Sequence, residues 1–178
     1  MRTCSIKIPD EAALAHLAAS LAAALPDDAF VALSGDLGAG KTTFVKAFAA
    51  AVGIPAEDVV SPTFGLVHEH ASPAGMLLHA DMYRLAGPDD LHEVGWQDAV
   101  ARARWVFVEW PERIGAAVPA ERLDVAITID SPTARTFTFT GHGSAHAAAL
   151  PCLLERTSRP AGTIEPDSRP PAQTGEAS

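Results

Sequence analysis

Phe30-Val31-Ala32-Leu33-Ser34-Gly35-Asp36-Leu37-Gly38-Ala39-Gly40-Lys41-Thr42-Thr43 decides how the rest of the chain is read. Its first four residues are a short continuous apolar run, the pattern of a strand buried on both faces. Gly35 to Gly40 break that strand. From Lys41 to Val52 the apolar residues Phe44, Val45, Phe48 and Val52 recur on one side of a helix, which Gly53 stops. Between strand and helix, Gly35 to Thr42 fit G-x-x-x-x-G-K-[ST], a loop that wraps phosphate. Its glycines let the backbone close around an anion, with the N–H groups of Leu37, Gly38, Ala39 and Gly40 available to it. The helix that begins at Lys41 points its positive dipole end at the same anion. In such a loop Lys41 bridges the β- and γ-phosphates, the Thr42 hydroxyl supplies a magnesium ligand, and Thr43 is placed to reach the α-phosphate. The bland alternative is a glycine-rich turn that matches by chance, and the strand–loop–helix setting argues against it.

The chain has 178 residues, enough for one domain with a full core and too few for two comfortable ones. A formal net charge of −9 with no broad basic face disfavours stable direct binding to nucleic acid, since phosphate-backbone affinity needs clustered Lys and Arg. Cys4 and Cys152 lie far apart without metal-ligand spacing and read as free thiols. No apolar run is long enough to span a bilayer. Ala12 to Leu25 is apolar, but Asp10 and Glu11 precede it, and Leu14, Leu17, Leu21 and Leu25 recur at helical spacing. It therefore reads as an amphipathic core helix rather than a targeting segment, and the expected location is cytoplasmic.

Elsewhere, Ser5 to Ile8 read as a strand closed by Pro9, with Asp10 capping the helix that follows. Thr63 to His70 and Met76 to Met82 read as two strands joined by a turn at Ala71 to Gly75. A short helix is expected from Gly87 toward Val94 and another from Trp96 to Arg104. Trp105-Val106-Phe107-Val108 is a second buried strand, Leu123 to Ile129 and Thr136 to Thr140 alternate as a β-hairpin, and Ala145 to Arg156 make a last helix weakened by Pro151. From Thr157 onward Pro, Ser, Thr, Gly, Ala and acids dominate, a composition that does not offset the entropy of ordering. The expectation is an α/β fold: a single P-loop NTPase-like domain over 1–156, its mixed central sheet flanked by helices, and a disordered tail over 157–178.

Two carboxylates each follow an apolar strand: Asp81 after Met76 to Ala80, and Glu109 after Trp105 to Val108. Strands parallel to the P-loop strand would carry both to the sheet edge where phosphates sit. One acid can hold magnesium and the other orient or deprotonate an attacking water. Ser61-Pro62-Thr63-Phe64 offers a loop hydroxyl at Thr63 suited to sensing γ-phosphate, although Ser-Pro-Thr is also a common turn. His68, His70, His79 and His92 have no zinc-like partners at usable spacing and read as surface or strand-packing residues. Trp110, beside Glu109, reads more as core than as a ligand contact, and its position at the catalytic strand end keeps the second reading open.

Taken together, the P-loop, Ser61-Pro62-Thr63-Phe64, His79-Ala80-Asp81-Met82-Tyr83-Arg84-Leu85 and Val108-Glu109-Trp110-Pro111 resemble the bacterial TsaE ATPase family over about Ile6 to Glu155. That family serves synthesis of threonylcarbamoyladenosine at position 37 of tRNAs reading codons that begin with A. The resemblance implies ATP and Mg2+ as cofactors, with Thr42 and Glu109 on the metal, Asp81 in catalysis with Lys41, and Thr63 in a switch. It also implies that the segment around Asp10 and Glu11 approaches adenine and that a C-terminal arginine, here Arg135, approaches the nucleotide. The motif around Arg135 is shorter than the family's and carries Pro132, and the polar tail lies outside the family pattern. The implied partner is a heterodimer of the threonylcarbamoyl transferase and its paralogue, which ATP hydrolysis resets. Hydrolysis is expected to be weak alone and raised by partners.

Two other classes compete. A small nucleoside or nucleotide kinase shares size and P-loop, but Arg84, Arg102, Arg104 and Arg113 form no obvious lid. A nucleotide-gated binding module with negligible hydrolysis would show the same motifs.

Overall fold

A computed structural model describes residues 1–62, 65–92 and 94–157. Seven strands form one sheet in the order β1-β7-β6-β2-β5-β4-β3. They are β1 (Arg2–Ile8), β2 (Ala29–Ser34), β3 (Val67–Ser72), β4 (Gly75–Asp81), β5 (Trp105–Glu109), β6 (Arg122–Ile129) and β7 (Arg135–His142). β2 lies at the centre, parallel to both β5 and β6, and β4 extends the parallel set beside β5. β7, β1 and β3 are added antiparallel, so the sheet is mixed, as expected.

Helices α1 (Glu11–Ala24), α2 (Lys41–Ala51) and α4 (Ser144–Thr157) contribute to one core, and α3 (Trp96–Arg102) to the other. Strand alternation divides the central residues between the two faces. Val31, Leu33, Leu77, Trp105 and Phe107 meet the first set of helices, while Phe30, Ala32, Leu78, Ala80, Val106 and Val108 meet α3. On the first face Phe48 stands against Phe107 and Trp105, with ring centroids 4.5 and 5.4 Å away. Burial of such large rings fixes α2, and with it the loop that precedes it, to the middle of the sheet.

Several boundaries differ from the sequence reading. β1 begins at Arg2 rather than Ser5, because β7 supplies a ladder partner for every residue from Arg2 to Ile8. β3 starts at Val67 and runs to Ser72, where a tight turn through Pro73 and Ala74 returns the chain at Gly75. The helix expected near Gly87 is a 3₁₀ turn over Pro88–His92. α4 continues through Pro151, its residues Ala149, Leu150 and Leu153 buried in the core. Cys4 is a free thiol, while the Cys152 side chain and the tail from 158 lie outside the described residues. Among the described residues, no helix is long and apolar enough to cross a membrane.

Candidate functional site

The loop from Gly35 to Gly40 leaves the C-terminal end of β2 and enters α2 at Lys41. Gly35 runs so close to β6 that a Cβ there would stand 2.5 Å from the Ile127 carbonyl oxygen. Gly40 precedes the helix with φ 105°, a left-handed conformation that glycine adopts without steric cost. The helix N-terminus therefore opens on a bare backbone, which suits an anion.

Lys41 is buried, yet its ammonium is well satisfied. Nζ donates to the carbonyls of Gly35 at 2.7 Å and Asp36 at 3.0 Å, and lies 4.0 Å from the Trp110 ring centroid. Burial lowers its pKa from the ordinary lysine value, against the opposing pull of Glu109, Asp81, Glu112 and Asp36.

Parallel pairing brings the two acids together. Leu33 of β2 registers with Glu109 of β5, which registers with Asp81 of β4. Both carboxylates thus stand at one edge and on one face, 3% and 5% exposed. Thr42 Oγ1 donates to Glu109 Oε1 at 2.7 Å. Asp81 accepts from Ser61 Oγ at 2.9 Å and from the Tyr83 backbone N–H at 3.0 Å.

Two clefts flank the loop. One, of about 320 Å³, is lined by Leu37, Gly38, Gly40, Lys41, Thr42 and Thr43 together with Ser61, Asp81, Tyr83, Arg84, Glu109 and Trp110. The other, of about 410 Å³, shares Gly38, Gly40 and Thr43 and adds Ala39, Glu11, Arg135 and the apolar side chains of Ile8, Leu14 and Phe137. Arg135 Nε donates to the Ala39 carbonyl at 3.1 Å, tying β7 to the loop. Of the residues singled out from sequence, Leu37 to Thr43, Asp81, Glu109, Glu11 and Arg135 line these two adjoining clefts. Gly35 lines neither cleft and serves through its carbonyl; Thr63 lies outside the described residues.

Sequence reasoning missed some neighbours. His79 is fully buried, with Nε2 2.9 Å from Glu109 Oε1. Its signal was its place two residues before Asp81, hence on the same strand face. Ser61 holds Asp81. Trp110, which the sequence kept open as a site neighbour, covers Lys41 with Tyr83 packed on it at 5.0 Å. Two of the arginines weighed for a lid are engaged elsewhere: Arg102 with Glu69 at 2.6 Å and Arg104 with Asp27 at 2.7 Å.

Residues 8–137 match the family model described as "Threonylcarbamoyl adenosine biosynthesis protein TsaE". The chain belongs to the TsaE family. It is 38% identical over 137 residues to the tRNA threonylcarbamoyladenosine biosynthesis protein TsaE of Bacillus subtilis (strain 168), covering 76% of this chain and 83% of that protein. The TsaE of Treponema pallidum (strain Nichols) is 35% identical over 105 residues, 59% of this chain and 76% of that one. Among solved structures, that of Bacillus subtilis YdiB superposes with a TM-score of 0.69 at 28% identity, over 86% of this chain and 95% of that one. The family match spans β2, the P-loop and both acids, while most of β1 and β7 and all of α4 lie outside it.

Proposed function

We propose that this chain is a magnesium-dependent ATPase that supports threonylcarbamoyladenosine modification of tRNA position 37 by binding and resetting the transferase–paralogue heterodimer. The observation that carries the reading is the meeting of Lys41, Thr42, Asp81 and Glu109 in one cleft of a TsaE-family chain. The names of its relatives, which place them in tRNA threonylcarbamoyladenosine biosynthesis, support the wider role.

In this reading the triphosphate lies along Leu37 to Thr43, held by loop N–H groups and the α2 N-terminus. Lys41 leaves the carbonyls of Gly35 and Asp36 for the β- and γ-phosphates. The Thr42 hydroxyl and the Glu109 carboxylate, held together by their hydrogen bond, are neighbouring hard oxygen donors that would fit magnesium. Among the described residues no group of three His, Cys, Asp or Glu side chains can hold a metal. Two protein oxygens suffice for magnesium, which takes its other ligands from phosphate and water. When bound, the metal neutralises charge developing on the transferred phosphoryl group. Asp81, fixed through both oxygens by Ser61 and the Tyr83 N–H, orients the attacking water. The base occupies the more apolar cleft near Ile8, Glu11 and Phe137, beside Arg135. Thr63 is assigned the switch role. The acidic chain works in the cytoplasm through protein contacts rather than stable binding to tRNA.

Phosphate release from ATP, measured with and without the heterodimer and with nucleosides offered as acceptors, tests this reading. The expected result is slow release alone and faster release with partners. Phosphorylated nucleoside would show a kinase instead, and release unchanged by the heterodimer would remove the resetting role.

A further inference from the structure

Leu77, His79 and Asp81 share the face of β4 that meets α2, while Leu78 and Ala80 turn to the α3 side. An apolar residue would serve packing at position 79. The chain instead buries an imidazole completely, and its Nδ1 has no hydrogen-bond partner among the described residues. Its other nitrogen, Nε2, lies 2.9 Å from Glu109 Oε1. Thr42 Oγ1 donates to that same oxygen at 2.7 Å. A carboxylate oxygen only accepts, so Nε2 carries a proton in this hydrogen bond.

We propose that His79 is a positioning residue for Glu109: its Nε2–H fixes the carboxylate at Oε1, turned toward Thr42, and leaves the second oxygen to the magnesium–nucleotide. The inference rests on the metal reading given under Proposed function. Thr42 has two tasks there, donating to Glu109 and offering its oxygen to the metal. His79 has one, and its bond does not depend on ligand. Partners of this kind orient metal-binding carboxylates and set ligand affinity from one shell further out.

The test compares full-length wild type, His79→Leu and His79→Gln. Gln keeps an N–H donor near the Nε2 position, and Leu keeps bulk without a donor. Calorimetric titration with a non-hydrolysable ATP analogue, in magnesium and in EDTA, gives each protein's magnesium-dependent gain in affinity. In His79→Leu this gain is expected to fall by about 10- to 100-fold. Affinity in EDTA should change less than about twofold, and His79→Gln should recover most of the gain. A gain kept in His79→Leu, an equal loss in both variants, or an equal loss in EDTA would overturn the proposal.

A second readout needs no variant to function. In ¹⁵N-resolved spectra of the metal-free wild type, the His79 ring, assigned by its disappearance in His79→Gln, should be protonated at Nε2. A ring protonated only at Nδ1 would overturn the inference whatever His79→Leu does. Wild-type binding indifferent to magnesium would overturn the metal reading and this inference together. Dependence retained in His79→Leu would overturn this inference alone.

Discussion

Lys41 shows how one residue is held ready. Its ammonium is buried against two carbonyls and the Trp110 face, so a phosphate bound as proposed would replace existing partners rather than fill an empty place. Hydrogen bonds to charged groups are worth about 1.5–3 kcal/mol, so Lys41→Ala should weaken ATP binding by about 10- to 100-fold in an equilibrium titration. Asp81→Asn should act differently, lowering turnover by about 100-fold or more with little change in binding, if it directs the attacking water. Undiminished partner-stimulated hydrolysis in that variant would remove Asp81 from the chemistry. Gly35 bears on stability instead. Gly35→Ala would put a methyl 2.5 Å from a backbone oxygen at φ 141°, and should cost about 2 kcal/mol or more in urea unfolding. The acids were legible in the sequence because each ends an apolar strand. His79 was not, because alternation says which side of β4 it faces but not that β5 brings Glu109 to that side.

The elements divide in the same way. β2, α2 and β5 announce themselves through continuous apolar runs and helical spacing, which are local signals. The extent of β1 is set by its pairing with β7, some 130 residues later, and no local pattern carries that. α4 overrides its own Pro151 because the core accepts Ala149, Leu150 and Leu153. That helix also carries an acid-sensitive group. His146 is 4% exposed with neither ring nitrogen partnered among the described residues, and burial lowers its pKa from the ordinary 6.5. His142 pushes it the same way and Glu121 opposes. The unfolded chain therefore binds this proton more readily than the folded one, so stability falls as pH drops below about 6.5. His70, lowered mainly by burial, adds to the same trend. Unfolding measured between pH 7.5 and 5 should show a smaller loss in His146→Leu than in wild type. At pH 7.5 that variant should be unchanged or about 1 kcal/mol more stable, since no buried polar atom is left unpaired. An identical pH profile in the two proteins would rule out His146 as a source of the acid loss.

Over the whole molecule, the phosphate loop is the link between the central strand and a helix whose Phe44 and Phe48 are fully buried. Unfolding either element destroys the loop, so nucleotide should bind only the folded chain. Ligand at 100 times its Kd then stabilises by about 2.7 kcal/mol. For a chain of this size that is a rise of roughly 5–10 °C in Tm. A magnesium–ATP analogue should give this rise, EDTA should reduce it if Thr42 and Glu109 share the ion as proposed, and Lys41→Ala should lose most of it. The guanine analogue separates the two clefts. Phosphate contacts are common to both nucleotides, whereas in the proposed reading the base would lie in the cleft beside Ile8, Glu11 and Arg135. A smaller rise with guanine would locate base recognition in that cleft. An equal rise would leave binding to the phosphates alone, and adenine selectivity would then have to arise in the complex with the partners.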